Sequence, residues 1–439
     1  MVSGRAASQF MVQETRSLLA RLARVKPLAL QETMTPAAAI SPAAYIAIER
    51  FLAEGRAHLR QMAAAYLRWL HSEEGRQAPP EEVQRRYALL RLQFNGVLDQ
   101  FDTFADVLTQ RSEYETGVWL AGLDVAASAA LALPGYYEAP PVICYLDRGH
   151  GAAIRRARTR LPGGGETPVA IIRVPRERMV GMGIASSLVH EVGHQGAALL
   201  DLIPSIRPVL LDMQHRDTEQ RIAWRLWDRW ISEILADFWA VAKVGVAGTL
   251  GLMGVVSLPR PFVFRVNLDD PHPVPWIRVK LSCAMGNVLY PHPQWDRLAA
   301  MWESFYPTHH LDGERRQLLA QLEAGIPGFV SLLVNHRPPA LAGRSLGQVM
   351  AAAELQPARL AETYEAWRMA PGGLRAAPPA LAFAVIGQAR ADGRIAPETE
   401  SNVIAGLLTG WALRSTLAAA AHSVAVDRPP RTIQVQSKL

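Results

Sequence analysis

Lysine and cysteine are scarce in this chain. Four lysines occur in 439 residues (Lys26, Lys243, Lys280 and Lys438), so nearly all of the 46 basic side chains are arginines. The arginines are scattered, with no basic block to track phosphates. The net charge of +6 therefore does not mark a nucleic-acid binder. Cysteine is limited to Cys144 and Cys283, each in apolar sequence. That excludes a disulfide framework and reads as two buried free thiols in a reducing, cytoplasmic setting. Met1-Val2-Ser3-Gly4-Arg5 lacks the apolar core of a secretory leader. Long hydrophobic runs are also missing. The most membrane-like stretch, Val244 to Leu258, is 15 residues without a charge. A spanning helix needs about 20, and Gly245, Gly248, Gly251 and Gly254 interrupt this one. The stretch is expected to be a buried helix or helix pair, with no membrane span.

Hydrophobic residues make up 49% of the chain and charged residues 20%, a globular balance with length enough for two or three domains. Residues 1–35 read as a loosely ordered arm. From 36 to 135 the periodicity is helical: Tyr45, Ile48, Leu52, Leu59, Met62, Tyr66 and Leu70 form one stripe. Gly75 to Pro80 breaks it. A second helix follows from about Glu81, and a third from Glu113 to near Pro134. These stripes read as core, and as a possible face for a partner protein. Pro140-Pro141 opens a different region, 136–345. Val142 to Leu146 and Val169 to Val174 are β-branched runs, hence strands, with a glycine turn at Gly163-Gly164-Gly165 between them. Residues 346–439 return to helix, with a turn at Asp392-Gly393-Arg394 and a loose tail from Asp427. That turn lacks the oxygen-ligand spacing of a calcium loop.

The residues present in the most informative pattern are His190-Glu191-Val192-Gly193-His194. On a helix, H-E-x-x-H sets two imidazoles four residues apart on one face. Both can ligate one Zn²⁺, and the glutamate between them reaches a water at that ion. A catalytic zinc needs a third protein ligand. The spacing H-E-x-x-H-x-x-G-x-x-H is excluded, because Ala197 and Leu200 stand at the last two defined positions and Asp201 comes one residue too late. A downstream helix carries Ser232-Glu233-Ile234-Leu235-Ala236-Asp237, with Glu233 and Asp237 one turn apart on one face. Bulky apolar neighbours, Trp230, Ile234, Phe238 and Trp239, argue against a simply solvated Glu233. His215, Asp201 and Asp212 are further candidates without a motif. His150, His292, His309 and His310 have no ligand spacing.

This E-x-x-A-D element after H-E-x-x-H resembles the gluzincin class of zinc metallopeptidases. The resemblance implies Glu233 as third ligand and Asp237 as the acceptor of a ligand histidine's free ring N–H. Asp270-Pro271-His272-Pro273 followed by Arg278 is similar to the H-P-x-x-x-x-R element of the CAAX prenyl protease and its bacterial heat-shock membrane protease relatives. The match covers about Val169 to Lys280 and departs from those families in its helical flanks and in lacking convincing transmembrane helices. It implies that His272 stabilises an oxyanion and that Arg278 orients ligand or substrate. The strand Val169 to Val174 resembles the edge strand on which such enzymes align substrate backbone. The expectation is therefore an α+β, predominantly α-helical chain: a zincin-like core with a small sheet, flanked by helical regions. It would be a soluble Zn²⁺-dependent peptidase acting on a peptide or protein, with Glu191 as general base. A non-enzymatic helical scaffold with a vestigial or structural metal site is the competing reading. A zinc hydrolase of small amides is a third.

Overall fold

Prolines set where many of the helices begin, since a missing N–H costs nothing in the first turn. The computed structural model describes residues 4–25, 34–148, 151–161, 164–176, 181–267 and 269–426. Helices α1 (Gly4–Arg24), α2 (Pro42–His71), the short α3 (Glu73–Gln77), α4 (Pro80–Thr109) and α5 (Tyr114–Leu131) precede the sheet. Its strands are β1 (Val142–Asp147), β2 (Ala153–Arg155) and β3 (Ala170–Pro175). Then come α6 (Met182–Leu199), α7 (Leu202–Arg216), α8 (Arg221–Val244), α9 (Val246–Val256) and the short α10 (Arg260–Val263). They are followed by α11 (Pro275–Leu289), α12 (Gln294–Phe305) and α13 (Gly313–Asn335). The C-terminal part holds α14 (Leu346–Met350), α15 (Pro357–Met369), α16 (Gly372–Ala376), α17 (Pro379–Ala391) and α18 (Pro397–Val426). The chain is predominantly helical with one small mixed sheet, as expected.

The sheet order is β1-β3-β2, with β1 parallel and β2 antiparallel to β3. Successive side chains point to opposite faces, and both faces are buried. Val142, Cys144, Leu146, Ala170, Ile172 and Val174 enter a large core that runs from α5 to α18. Ile143 and Ile171 face the other way, into a second core with α1, α2 and α4. The sheet is thus the wall between two apolar cores. Arg111, fully buried, ties it to α5: its guanidinium donates to both carboxylate oxygens of Asp124 (2.9 and 3.1 Å) and to the Cys144 carbonyl (2.7 Å). The Cys144 N–H in turn donates to Asp124 at 2.7 Å. Both cysteines are buried and free.

Several expectations need correction. Within the stretch read as a loose arm, residues 4–24 form α1, which buries Leu18 and Leu22 in the second core. Met11, Leu18 and Leu22 stand at helical spacing along it, a stripe that the sequence reading passed over. β2 was not expected, being only three residues long, with Arg155 in it and Arg156 next. β3 is the central strand and pairs on both sides, so it offers no free edge to a substrate; among the described strands β2 lies beside it on the outer side. Asp217, which the sequence also suggests as an N-cap, stands four residues before α8; it accepts from the Gln220 N–H at 3.1 Å and from the Trp224 indole at 3.0 Å. The proline-rich stretch after Asp269 contains the 15-residue α11, for which Pro275 is the start rather than a breaker. The Val244–Leu258 stretch is a buried helix pair as read, with Gly245 at φ +57° between α8 and α9. Two helices that the sequence reading did not single out, α13 and α18 over Pro397–His422, are long and apolar enough to cross a membrane. Both bury part of their apolar surface in the large core, Phe329 and Leu333 from α13 and Ile404 and Trp411 from α18.

Candidate metal centre

The site forms where α6 crosses α8 unusually closely. A Cβ on Gly193 would sit 2.8 Å from the Ala236 Cα and the Trp239 Cβ, and one on Gly196 would meet the Trp239 ring at 2.4 Å. Any larger residue would push the helices apart. With glycine there, the α6 face bearing His190 and His194 comes within reach of Glu233 on α8. The two imidazoles lie edge to face with centroids 5.0 Å apart. Each turns Nε2 to a different oxygen of one carboxylate: His190 to Glu233 Oε2 at 3.3 Å and His194 to Glu233 Oε1 at 3.4 Å. The ligating atoms of His190, His194 and Glu233 all lie within 4.8 Å of one another.

This donor set fits a zinc ion. Two imidazole nitrogens and a carboxylate oxygen are a normal three-ligand set. Bonds of about 2.0–2.1 Å in a tetrahedron put neighbouring donors roughly 3.3 Å apart; the two imidazole-to-carboxylate separations are 3.3 and 3.4 Å, each to a different oxygen of Glu233. The buried Oε2 of Glu233 has the Nε2 atoms of His190 and His272 each 3.3 Å away, yet makes no well-formed hydrogen bond among the described residues. Such an atom is costly unless something takes up its lone pair.

The opposite ring nitrogens are held from behind. Nδ1 of His190 meets Asp237 Oδ1 at 2.8 Å, and Nδ1 of His194 meets the Ser232 hydroxyl at 3.3 Å. These contacts leave Nε2 of both rings facing the common point. Ser232 lies within the quoted run, but nothing in the pattern gave it a role. Asp237 is itself clamped by Arg278, whose Nε and Nη2 donate to its two oxygens at 2.6 and 2.8 Å. Arg278 comes from α11, so three helices meet at this point. His272 approaches from the loop before α11, half exposed, with Nε2 3.3 Å from Glu233 Oε2 and Nδ1 2.7 Å from Asp270 Oδ1. A small cavity of about 230 Å³ opens beside His272 and Arg278, walled by Val256, Leu258 and Phe262.

The charges follow from these contacts. Burial disfavours the charged form of His190, but Asp237 and Glu233 outweigh it and lift its pKa to about 9. His194, buried and repelled by His190, falls to about 4. Burial would raise Glu233 too, yet His190, His194 and His272 hold it at about 2. Asp237 is likewise buried, and Arg278 and His190 keep it well below the usual carboxylate range. Glu191 goes the other way. It is 7% exposed, and burial pushes its pKa up, aided by the charge of Glu233.

Of the other histidines and acids, His215 is exposed in the last turn of α7. Asp201 holds a left-handed backbone between α6 and α7, and Asp212 pairs with Arg216. None joins the metal cluster. His150 and Gly163 lie outside the described residues, as does the tail from Asp427. Comparison with protein-family models, with curated proteins and with solved structures finds no match.

Proposed function

We propose that this chain is a zinc-dependent peptidase. The observation that carries the reading is the convergence of His190, His194 and Glu233, with the desolvated carboxylate of Glu191 on the same turn of α6. When bound, the ion would lower the pKa of water and polarise a carbonyl oxygen. Glu191 is the base that takes the proton of the attacking water; burial raises its carboxyl pKa and so makes it a stronger base. A C–O bond forms at the scissile carbonyl, the C–N bond breaks, and Glu191 returns the proton to the leaving amine. His272, whose Nε2 lies 3.3 Å from Glu233 Oε2, would donate to the developing oxyanion. Asp237 fixes the tautomer of His190, and Arg278 neutralises and orients Asp237. The cavity at Leu258 and Phe262 would take a side chain of a peptide substrate. Substrate backbone would lie along β2 rather than β3.

Glu191→Gln keeps the shape and loses the base. The variant should fold and retain zinc while losing hydrolysis by about 10²–10⁴-fold or more. A proteome-wide comparison of new N-termini, wild type against variant, needs no named substrate. Identical products, or no products from zinc-loaded wild type, would overturn the reading. A scaffold with a structural zinc would then lead.

A further inference from the structure

A cleft of about 1010 Å³ opens between α4 and the outer half of the sheet. The strand register builds its floor. Tyr145, Arg173 and Ala153 stand side by side across β1, β3 and β2, and Ile143, Ile171 and Arg155 form the next row. Neighbours in such a row share one face of the sheet. Cys144 and Ile172, which point the other way, enter the core that holds α6 and α8, so the cleft is on the face turned away from the candidate metal centre. Ile143 and Ile171 are buried against α4 in the second core, whereas Ala153 and Arg155 lie outside it. Gln110 ties the end of α4 to β1, donating to the Leu146 carbonyl at 2.7 Å and accepting the Leu146 N–H at 2.8 Å. Thr103 and Asp106 of α4 line the opposite wall.

The charges lining this cleft are unevenly paired. Arg173 is turned to Asp147 at 3.5 Å. Arg155, exposed, and Arg156, partly buried, make no side-chain hydrogen bond or ion pair among the described residues. The carboxylate left to oppose them is Asp106. The Tyr145 hydroxyl also makes no hydrogen bond among the described residues; it lies within the fields of Asp147, Arg173, Arg155 and Asp106 together. Donors therefore exceed acceptors, and an anionic group is favoured. Beside them runs β2, with β3 on one side and no strand on the other among the described residues. An extended peptide added there would turn alternate side chains toward the cleft. A nucleic acid suits it less, because Asp106 and Asp147 would repel phosphates and Tyr145 is the one aromatic ring among the lining residues. We propose, on the reading of β2 as the strand that receives a peptide, that this cleft selects acidic segments. The segment lies along β2 and sets glutamate or aspartate side chains, at alternate positions, against Arg155 and Arg156.

Binding is measured on the full chain without zinc, so that it does not stand or fall with hydrolysis. The probes are capped peptides of one length and one fluorophore, in which threonine alternates with glutamate, glutamine or lysine. By fluorescence anisotropy the glutamate peptide should saturate one site, about tenfold more tightly than the glutamine peptide. Arg155→Gln and Arg156→Gln should each weaken it about fivefold. Asp106→Asn, on the opposite wall, should tighten it about twofold. Arg225→Gln, exposed on α8 and no part of the cleft, should change nothing, which separates the cleft from the net charge of the chain. Should the arginine variants fail to fold, Asp106→Asn and the three peptides still decide. No preference for glutamate, an equal loss in Arg225→Gln, or stronger displacement by an oligodeoxythymidylate than by unlabelled glutamate peptide would overturn the proposal. Saturable binding that needs Arg155, in a protein whose zinc-loaded form cleaves nothing, would uphold the cleft and refute the peptidase. Cleavage indifferent to acidic residues in the substrate would refute the cleft alone.

Discussion

At the scale of single residues, the candidate metal centre has two imidazoles oriented by their rear nitrogens. His190 is held through Nδ1 by Asp237, so only Nε2 is left for an ion. Without an ion its pKa stands near 9, so at neutral pH an incoming zinc must displace the Nε2 proton. His194, near 4, has none to give up. Zinc affinity should therefore rise about tenfold per pH unit between roughly pH 6 and 8, with one proton released per ion. Calorimetry in buffers of different ionisation enthalpy reads that proton, and a flat affinity would refute the assignment. Asp237→Asn leaves the three ligand atoms in place but weakens the acceptor at Nδ1 and the clamp to Arg278. It should keep zinc at high concentration while losing about 10–100-fold in affinity. Glu233→Ala should lose the ion far more completely. A zinc titration of the three proteins separates ligand from support; equal losses in both variants would mean that Asp237 is a ligand too.

At the scale of elements, the centre depends on how closely α6 and α8 pack. Gly193→Ala adds a methyl that meets the Ala236 backbone, which cannot turn aside. It should cost about 1–3 kcal/mol of stability and weaken zinc binding. Gly406→Ala, on the exposed side of α18 with open space around it, should be neutral or mildly stabilising. If Gly193→Ala binds zinc as tightly as wild type, close packing is not what places Glu233. The motif itself was legible in the sequence, because four-residue spacing is local. The Gly193 and Gly196 contacts were not, since a helical glycine shows its use only when its neighbour across the interface is known. α11 was missed for a related reason. Proline reads as a breaker unless its place in the first turn is known, and Arg278 was reached through a resemblance instead. A further buried element contact, Arg111 with Asp124, left no pattern at all. Its partners join α5 to a strand only after folding, and Asp124→Ala should cost about 3–5 kcal/mol in denaturant unfolding by stranding a buried cation.

At the scale of the whole molecule, one thin sheet separates two cores, and the candidate metal site belongs to only one of them. The ligands sit on α6 and α8 in the large core, whereas α1, α2 and α4 pack on the far face of the sheet through Ile143 and Ile171. The sequence suggested the helical N-terminal region but not that it covers a strand face, because a strand buried on both sides shows no alternation. An ion that binds only the folded centre stabilises whatever must be folded to hold it, and nothing that can open independently. Zinc should then slow amide exchange in α6, α8 and α11 and leave α2 and α4 nearly unchanged. The comparison is hydrogen exchange of the zinc-loaded protein with and without a chelator. If protection in α2 and α4 falls by the same factor as in α8, the two cores open together, and the buried Arg111–Asp124 link between α5 and β1 is the first contact to test as their coupling. If protection in α8 itself does not change, the centre at His190, His194 and Glu233 is not where the ion binds.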